Sequence, residues 1–415
     1  MRIETAQSVD VVIVGGGIGG STLAANLAHA GLQVEVLERE VKFVDRVRGE
    51  WVAPWGVAEA KRLRIYDEFV AAGGHHLARG IYYDELLDPG DAEAAVMPLD
   101  DLHPDAPGPL CLEHVVMQNT ALQYAIECGA RVRRGIKNVM FEAGDAPSVS
   151  YTCDDVRHTR NCRLVVGADG RSSTVRRQIG LALKEEEIDH LMSGLLVEGA
   201  TDWPIDVQSF GKADDVMYLI FPQGDGKIRL YVDYDLSDRG RYTGEKGARN
   251  MLRAFDADCL PGGRSISKAT PIGPCKSYPS QSAALDRCSA RGAVLIGDAA
   301  GYTDPIFGQG ISMTLRDCRI VRDLLVNGEP WTDATFEPYN KERKERIRRV
   351  MCVTRFGTTL FARFDEQGLQ TRERAMQRIS EQPELGALFK ATFSGPETVP
   401  DEVFTDDFYG RIFST

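Results

Sequence analysis

Apolar residues first gather at Val11-Val12-Ile13-Val14, an unbroken run of strand length. Gly15-Gly16-Gly17-Ile18-Gly19-Gly20 follows, then a stretch with helical spacing, then Val34-Glu35-Val36-Leu37-Glu38. The pattern predicts strand, glycine turn, helix and second strand, with residues 1–70 βαβ-like. Residues 85–109 are rich in Pro, Asp and Gly and read as loop. Positions 114–128 fit a helix and 130–134 a return to strand. Residues 164–167 and 293–296 are short apolar runs, each ending in a turn, as strands buried on both faces do. From about 186 to 285 the pattern alternates and is rich in aromatics, and segments 216–221 and 228–234 flank a hairpin signal at 222–226. From 311 to 393 the spacing is mainly helical.

This order of elements predicts an α/β fold. A Rossmann-like dinucleotide-binding domain is assembled from 1–70, 110–185 and 286–335. It is interleaved with a β-sheet-rich substrate domain from 71–109 and 186–285, and a helical C-terminal region spans 336–415. In the first unit Gly15 permits the tight turn, Gly17 lets backbone N–H groups approach a pyrophosphate, and Gly20 lets the helix pack close to the sheet. The helix N-terminus offers free N–H donors to phosphate. Glu38, at the end of the second strand, is placed to accept ribose hydroxyls.

Composition narrows the picture. A net charge of −12 argues against nucleic acid and against an anionic membrane surface. The 9 cysteines are scattered without a Cys-x-x-Cys pair, which predicts reduced thiols and a cytoplasmic setting. The 7 histidines form no metal-ligand spacing, so no metal is expected. Residues 1–8 lack the apolar core of a secretory leader, and no apolar run approaches the roughly 18 residues of a bilayer span. No obligate protein partner is evident. The run Lys341-Glu342-Arg343-Lys344-Glu345-Arg346 fits a solvated helix face.

Two further turns carry chemistry. Gly297-Asp298 ends an apolar strand, where Asp298 can accept from a polyol such as a ribityl chain. Pro305-Ile306-Phe307-Gly308-Gln309-Gly310 then opens a helix at Ile311, and free N–H groups there suit the pyrimidine edge of a flavin that gains negative charge on reduction. A third turn, Asp169-Gly170, ends the 164–167 strand, and Asp169 can brace its loop through backbone hydrogen bonds.

These three turns, in this order, resemble the single-component FAD-dependent monooxygenases of the para-hydroxybenzoate hydroxylase superfamily over roughly residues 8–330. Glu38-Arg39 followed by Asp45-Arg46-Val47-Arg48-Gly49-Glu50 is similar to the squalene monooxygenase pattern Asp-Arg-x-x-Gly-Glu. That resemblance implies that Arg46, with Arg48 beside it, neutralises the FAD pyrophosphate, and it makes Arg39 a further cofactor-binding candidate. His114, with Gln118 one turn later, stands where many members have arginine, and is placed to donate to the flavin side chain.

The resemblance implies bound FAD, with NADH or NADPH and dioxygen as co-substrates. Through a flavin hydroperoxide, a small-to-medium organic molecule, aromatic in most members, would be hydroxylated or epoxidised. A flavin-dependent reductase or halogenase on the same scaffold, or a non-catalytic flavin-binding protein, are the alternatives. The halogenase motif Trp-x-Trp-x-Ile-Pro is missing, since Trp51, Trp55, Trp203 and Trp331 form no such pair. Trp51 and Trp55 suit either the flavin ring or the core. On the 228–234 strand, alternation puts Ile228, Leu230, Val232 and Tyr234 on one face and Arg229, Tyr231 and Asp233 on the other, and either face fits a pocket wall. No catalytic base is identified.

Overall fold

The computed structural model describes residues 7–414 except 145 and 329, so the leader expectation for residues 1–8 falls largely outside the described residues. Val11–Val14 lies between the parallel strands Val34–Glu38 and Leu164–Gly167, and every residue of these three strands is buried. Ala293–Leu295 extends the sheet beyond Leu164–Gly167, Arg131–Arg134 closes the other side, and Ser289–Ala290 adds an antiparallel edge. Helices Ile18–His29 and His114–Glu127 cover one face. The opposite face carries a sheet of Gln7–Ser8, Val156–Asn161, Ser148–Cys153 and Lys137–Glu142. Glu35 bridges the two layers: its carboxylate accepts from Tyr151 Oη and from Arg160 Nε, each at 2.8 Å. Covering on both faces explains why these strands read as continuous apolar runs.

The expected hairpin is present as Val216–Gly224 paired with Lys227–Asp235, and it belongs to a mixed eight-stranded sheet. His190–Glu198 pairs beyond Lys227–Asp235, and Val207–Ala213 beyond Val216–Gly224. Arg79–Tyr82, distant in sequence, joins parallel to Val207–Ala213. One face of this sheet packs Ile228, Leu230, Val232 and Tyr234 against Met251, Phe255 and Ile266. The other meets the C-terminal helices Glu337–Phe361, Glu366–Glu381 and Ala387–Ser394 through Met192, Leu219, Tyr231, Phe356 and Leu388. The 85–109 stretch is not all loop. Asp88 accepts from the Gly90 N–H at 2.8 Å, Pro89 occupies the first helical position, and a helix runs Pro89–Ala94. An acidic cap followed by proline starts a helix as well as it marks a turn.

The charged run at 341–346 is not a solvated face. Arg343 and Arg346 are buried, and both reach Asp317 on the helix Gly310–Asn327. Arg346 Nη2 lies 2.7 Å from Asp317 Oδ1, and Arg343 Nε lies 3.0 Å from the same oxygen. Asp317 Oδ2 accepts the Gly297 N–H at 2.8 Å. Arg343 also donates to the Gly301 carbonyl, and Arg346 to the Met313 carbonyl, each at 2.9 Å. Lys341 and Lys344 of this run are exposed, and Glu342 and Glu345 are half-buried. Asp317→Ala would strand two buried guanidinium groups, and urea unfolding should show a loss of about 3–5 kcal/mol.

Candidate active site

A cavity of about 300 Å³ runs from the glycine turns of the first sheet to the inner face of the second. Gly17, Ile18 and Gly19 line one end at the start of the helix Ile18–His29, which has no side-chain cap. Gly308, Gly310 and Ile311 line the wall at the start of the helix Gly310–Asn327, which also lacks one. Two helix N-termini therefore leave backbone donors open toward one space. The glycines differ in what holds them. A Cβ on Gly15, whose φ is +107°, would fall 2.3 Å from the Ala168 carbonyl oxygen, and one on Gly20 would fall 1.9 Å from that of Gly15. At Gly17 the nearest atom would be 4.0 Å away, and at Gly310 nothing lies within 4 Å. Crowding demands glycine at the first two, whereas the latter two border open space.

Glu38 is buried behind the glycine turn. Its two oxygens accept the N–H groups of Gly16 and Glu40, each at 2.7 Å. Asp169 braces its own loop, accepting Ser173 Oγ at 2.5 Å and the Thr174 N–H at 2.6 Å. Asp298 borders the cavity and sits 3.4 Å from Arg171 Nε, whose guanidinium lies over the Tyr302 ring.

Arg46 and Arg48 part company at Val47. Val47 has φ +55°, a left-handed conformation that costs a β-branched residue, and it is fully buried against the second sheet. Asp45 Oδ1 holds the turn by accepting the Val47 N–H at 2.7 Å. Arg48 lines the cavity, while Arg46 points to Glu40, 2.6 Å away, and Arg39 also pairs with Glu40. The Arg46 hydrogen bond holds the Glu40 carboxyl below its usual range. Of the three arginines the structure brings only Arg48 to the site.

His114 and Gln118 line the cavity. His114 Nδ1 is 2.8 Å from the Gly49 carbonyl oxygen, so this nitrogen carries the donated proton. Burial lowers the imidazole's affinity for a second proton. With Nδ1 turned to Gly49, Nε2 is the ring nitrogen left for a ligand, and a neutral ring would offer it as an acceptor.

Pro305 lines the cavity, but the Gln309 side chain turns away from it. Gln309 Oε1 accepts Trp55 Nε1 at 3.0 Å, and its amide donates to the carbonyls of Phe307 at 2.7 Å and Thr392 at 3.2 Å. Gln309 thus ties the turn to the helix Ala387–Ser394. Trp55 is core, whereas Trp51 faces the cavity and donates to Gln208 Oε1 at 2.8 Å.

The pocket wall is the Arg229–Tyr231–Asp233 face. Tyr231 lines the cavity with Met192, Phe210, Leu219 and Phe221, and the helix Ala387–Ser394 adds Phe389, Thr392 and Phe393. Arg229 lies beneath, with Nε 2.5 Å from Glu50 Oε2 and Nη2 3.1 Å from Asp45. Burial pushes the Glu50 carboxyl up despite Arg229. Sequence reasoning missed Arg171, the Glu50–Arg229 pair and the C-terminal aromatics. Two charges spaced with a tyrosine, opposite a wholly apolar face, were the available signal for this wall.

The family described as FAD binding domain matches residues 8–354, and the chain belongs to it. Squalene monooxygenase SE1 of Panax ginseng is 27% identical over 324 residues, covering 77% of this chain and 59% of that protein. The chain therefore spans about three-fifths of the length of that relative. Digeranylgeranylglycerophospholipid reductase 2 of Methanopyrus kandleri is 25% identical over 386 residues, covering 89% of this chain and 90% of its own. In fold, the chain matches p-nitrophenol 4-monooxygenase PnpA of Pseudomonas putida with TM-score 0.73 at 19% identity, covering 98% of each chain. The open space at Gly17 and Gly310, facing uncapped helix starts at two points of one cavity, fits an extended FAD.

Arg48→Ala should raise the Kd for FAD about tenfold or more, as loss of a charge-assisted phosphate contact does. Arg46→Ala should stay within about twofold, as expected for an exposed ion pair. Fluorescence titration of the apoprotein with FAD checks both.

Proposed function

We propose that the protein is an FAD-dependent monooxygenase that uses NADH or NADPH and dioxygen to hydroxylate or epoxidise a small-to-medium, apolar, aromatic or unsaturated substrate. The carrying observation is one cavity that joins the dinucleotide cradle to an aromatic chamber. Bound FAD supplies hydride acceptance and dioxygen activation; the protein supplies position and exclusion of water. In this reading Glu38 orders the glycine turn and faces the ribose, Arg48 meets the pyrophosphate, and Asp298 and His114 Nε2 accept ribityl hydroxyls. The open N–H groups at Gly308–Gly310 stabilise negative charge on the reduced ring. Trp51, Phe221, Tyr231, Phe389 and Phe393 keep water from the reacting centre.

No helix among the described residues is long and apolar enough to cross a membrane. All nine cysteines are free, which supports a reducing, cytoplasmic setting. The reductase relative, matched along nearly its whole length, favours a second reading, flavin-dependent reduction of a prenyl double bond.

Oxygen uptake separates the two. Holoenzyme given NADPH or NADH and a panel of phenols and polyenes should consume dioxygen in step with nucleotide, and a product should carry one atom from labelled dioxygen. Anaerobic turnover that saturates a polyene, with no oxygen incorporation, would establish the reductase instead. Phe393→Ala should admit water and raise hydrogen peroxide release several-fold at unchanged FAD content, read with a peroxidase-coupled dye.

A further inference from the structure

A second polar cluster lies behind the turn that starts the helix Gly310–Asn327. His190 begins the strand His190–Glu198 and is wholly buried. Its Nδ1 is 2.7 Å from Asp189 Oδ1. Its Nε2 lies 3.5 Å from Asp304 Oδ2 and 3.6 Å from Asp233 Oδ1. Both distances exceed the roughly 2.7–2.9 Å of a charge-assisted hydrogen bond. Nε2 and both oxygens of Asp233 have no hydrogen-bond partner. Asp233 is wholly buried, and Asp304 is nearly so. Three carboxylates thus surround one imidazole in a space closed to water on most sides.

The cluster touches the cavity and solvent at opposite ends. Asp304 Oδ1 accepts the Ile306 N–H at 2.9 Å, its backbone N–H donates to Ser282 Oγ, and its neighbours Thr303 and Pro305 line the cavity. Asp233 stands directly beside Met192, which in turn stands beside Tyr278, and both neighbours line the cavity. At the other end the Asp189 side chain is 38% exposed and lies 3.5 Å from Arg363. Arg171, from the cavity, and Arg363, from the surface, are the cations whose fields reach the cluster.

The charges cannot all persist. Burial opposes a charge on His190, but Asp304, Asp189 and Asp233 outweigh it and hold the imidazolium up to about 9. Burial pushes the Asp233 carboxyl up to about 8. Asp189, hydrogen-bonded to His190, keeps its charge at lower pH than usual. The cluster therefore gives up protons on the alkaline side of neutrality and can refill them from water at Asp189.

We propose that His190 and Asp233 form a redox-linked proton site, which takes up a proton through Asp189 when the flavin bound beside Asp304 is reduced. The inference rests on the FAD-binding reading. Two electrons arrive as hydride from the nicotinamide, and negative charge grows on the ring at the edge that the Pro305–Phe307 turn would face. That charge raises the proton affinity of the nearby cluster, as any added anion does. The proton comes from water; an N–H or O–H bond forms at His190 or Asp233, and no other bond of the cluster changes. The sign follows. At pH below the cluster's titration it is already protonated and takes up nothing; within the titration range reduction adds a proton; above it the cluster stays empty in both states.

The test is the midpoint potential of bound FAD as a function of pH, by spectroelectrochemical titration of the holoprotein. It needs neither substrate nor turnover. In the wild type the line should follow one proton per electron pair near neutrality and steepen toward two between about pH 8 and 9, where His190 and Asp233 titrate. Each variant should retain yellow colour and displace the steep segment, Asp233→Asn to lower pH because His190 loses an anion and His190→Gln to higher pH because Asp233 loses a cation. Asp233→Asn keeps the shape of the side chain and decides the matter if His190→Gln does not fold. A wild-type line of unchanging slope overturns the proposal, as does a steep segment that stays at the same pH in a folded, FAD-loaded variant. Failure of the wild type to bind FAD would overturn the cofactor reading instead, and is seen at once as a colourless protein.

Discussion

The Asp317 carboxylate is the anchor on which the site's geometry depends. It comes from the helix that follows the Pro305–Phe307 turn, and it accepts from the backbone of Gly297 and from two arginines of the long C-terminal helix. A buried anion of this kind is tolerable only when its lone pairs are filled, and here three donors, the Gly297 N–H, Arg343 Nε and Arg346 Nη2, fill them. The donors come from two separated parts of the chain and the carboxylate from a third. The turn that presents Asp298, the helix that begins at Gly310, and the helix that covers the second sheet are thus fixed relative to one another. Glu50 and Arg229 do the same on the other side of the cavity, joining the turn after Arg48 to the pocket strand.

Much of the first sheet was legible because its strands are buried on both faces and its glycines sit where backbone crowding permits nothing larger. Gly15 and Gly20 are cases in which steric demand and the motif coincide. Local pattern also found the hairpin at 216–235, since strand alternation and turn residues are near-neighbour effects. What could not be seen were the effects of distance along the chain. Arg343 and Arg346 look like solvent-facing charges until Asp317 is placed beside them. Gln309 sits in a cofactor-like motif, yet its amide serves Trp55 and Thr392. Arg46 and Arg48 are equivalent in sequence, and a single left-handed residue between them sends one outward and the other in.

The pocket strand shows the same limit in another form. Alternation correctly separated its two faces, but each face offered a coherent surface. The choice belongs to the rest of the protein. The helices Gly247–Arg253 and Gly263–Ser267 claim the wholly apolar face, leaving Arg229, Tyr231 and Asp233 to face inward. Arg229 is bearable on that face because Glu50 and Asp45 meet it, and Asp233 because burial keeps a proton on its carboxyl at neutrality. The overall acidity of the chain, so visible in composition, says little about the cavity, where Arg48 and Arg171 are prominent.

The family match ends at residue 354, while Phe389, Thr392 and Phe393, which close the aromatic chamber, lie beyond it. The chamber is therefore closed in part by residues outside the segment that carries the family match. Substitutions at Phe389, Thr392 and Phe393 reshape the chamber without touching the atoms that crowd Gly15 and Gly20. The segment beyond residue 354 is held to the rest by several contacts, Gln309 with Thr392, Arg316 with Glu397, Leu102 with Ser394 and Glu85 with Arg372. The space offered to a bound molecule can thus vary while the dinucleotide cradle keeps its form.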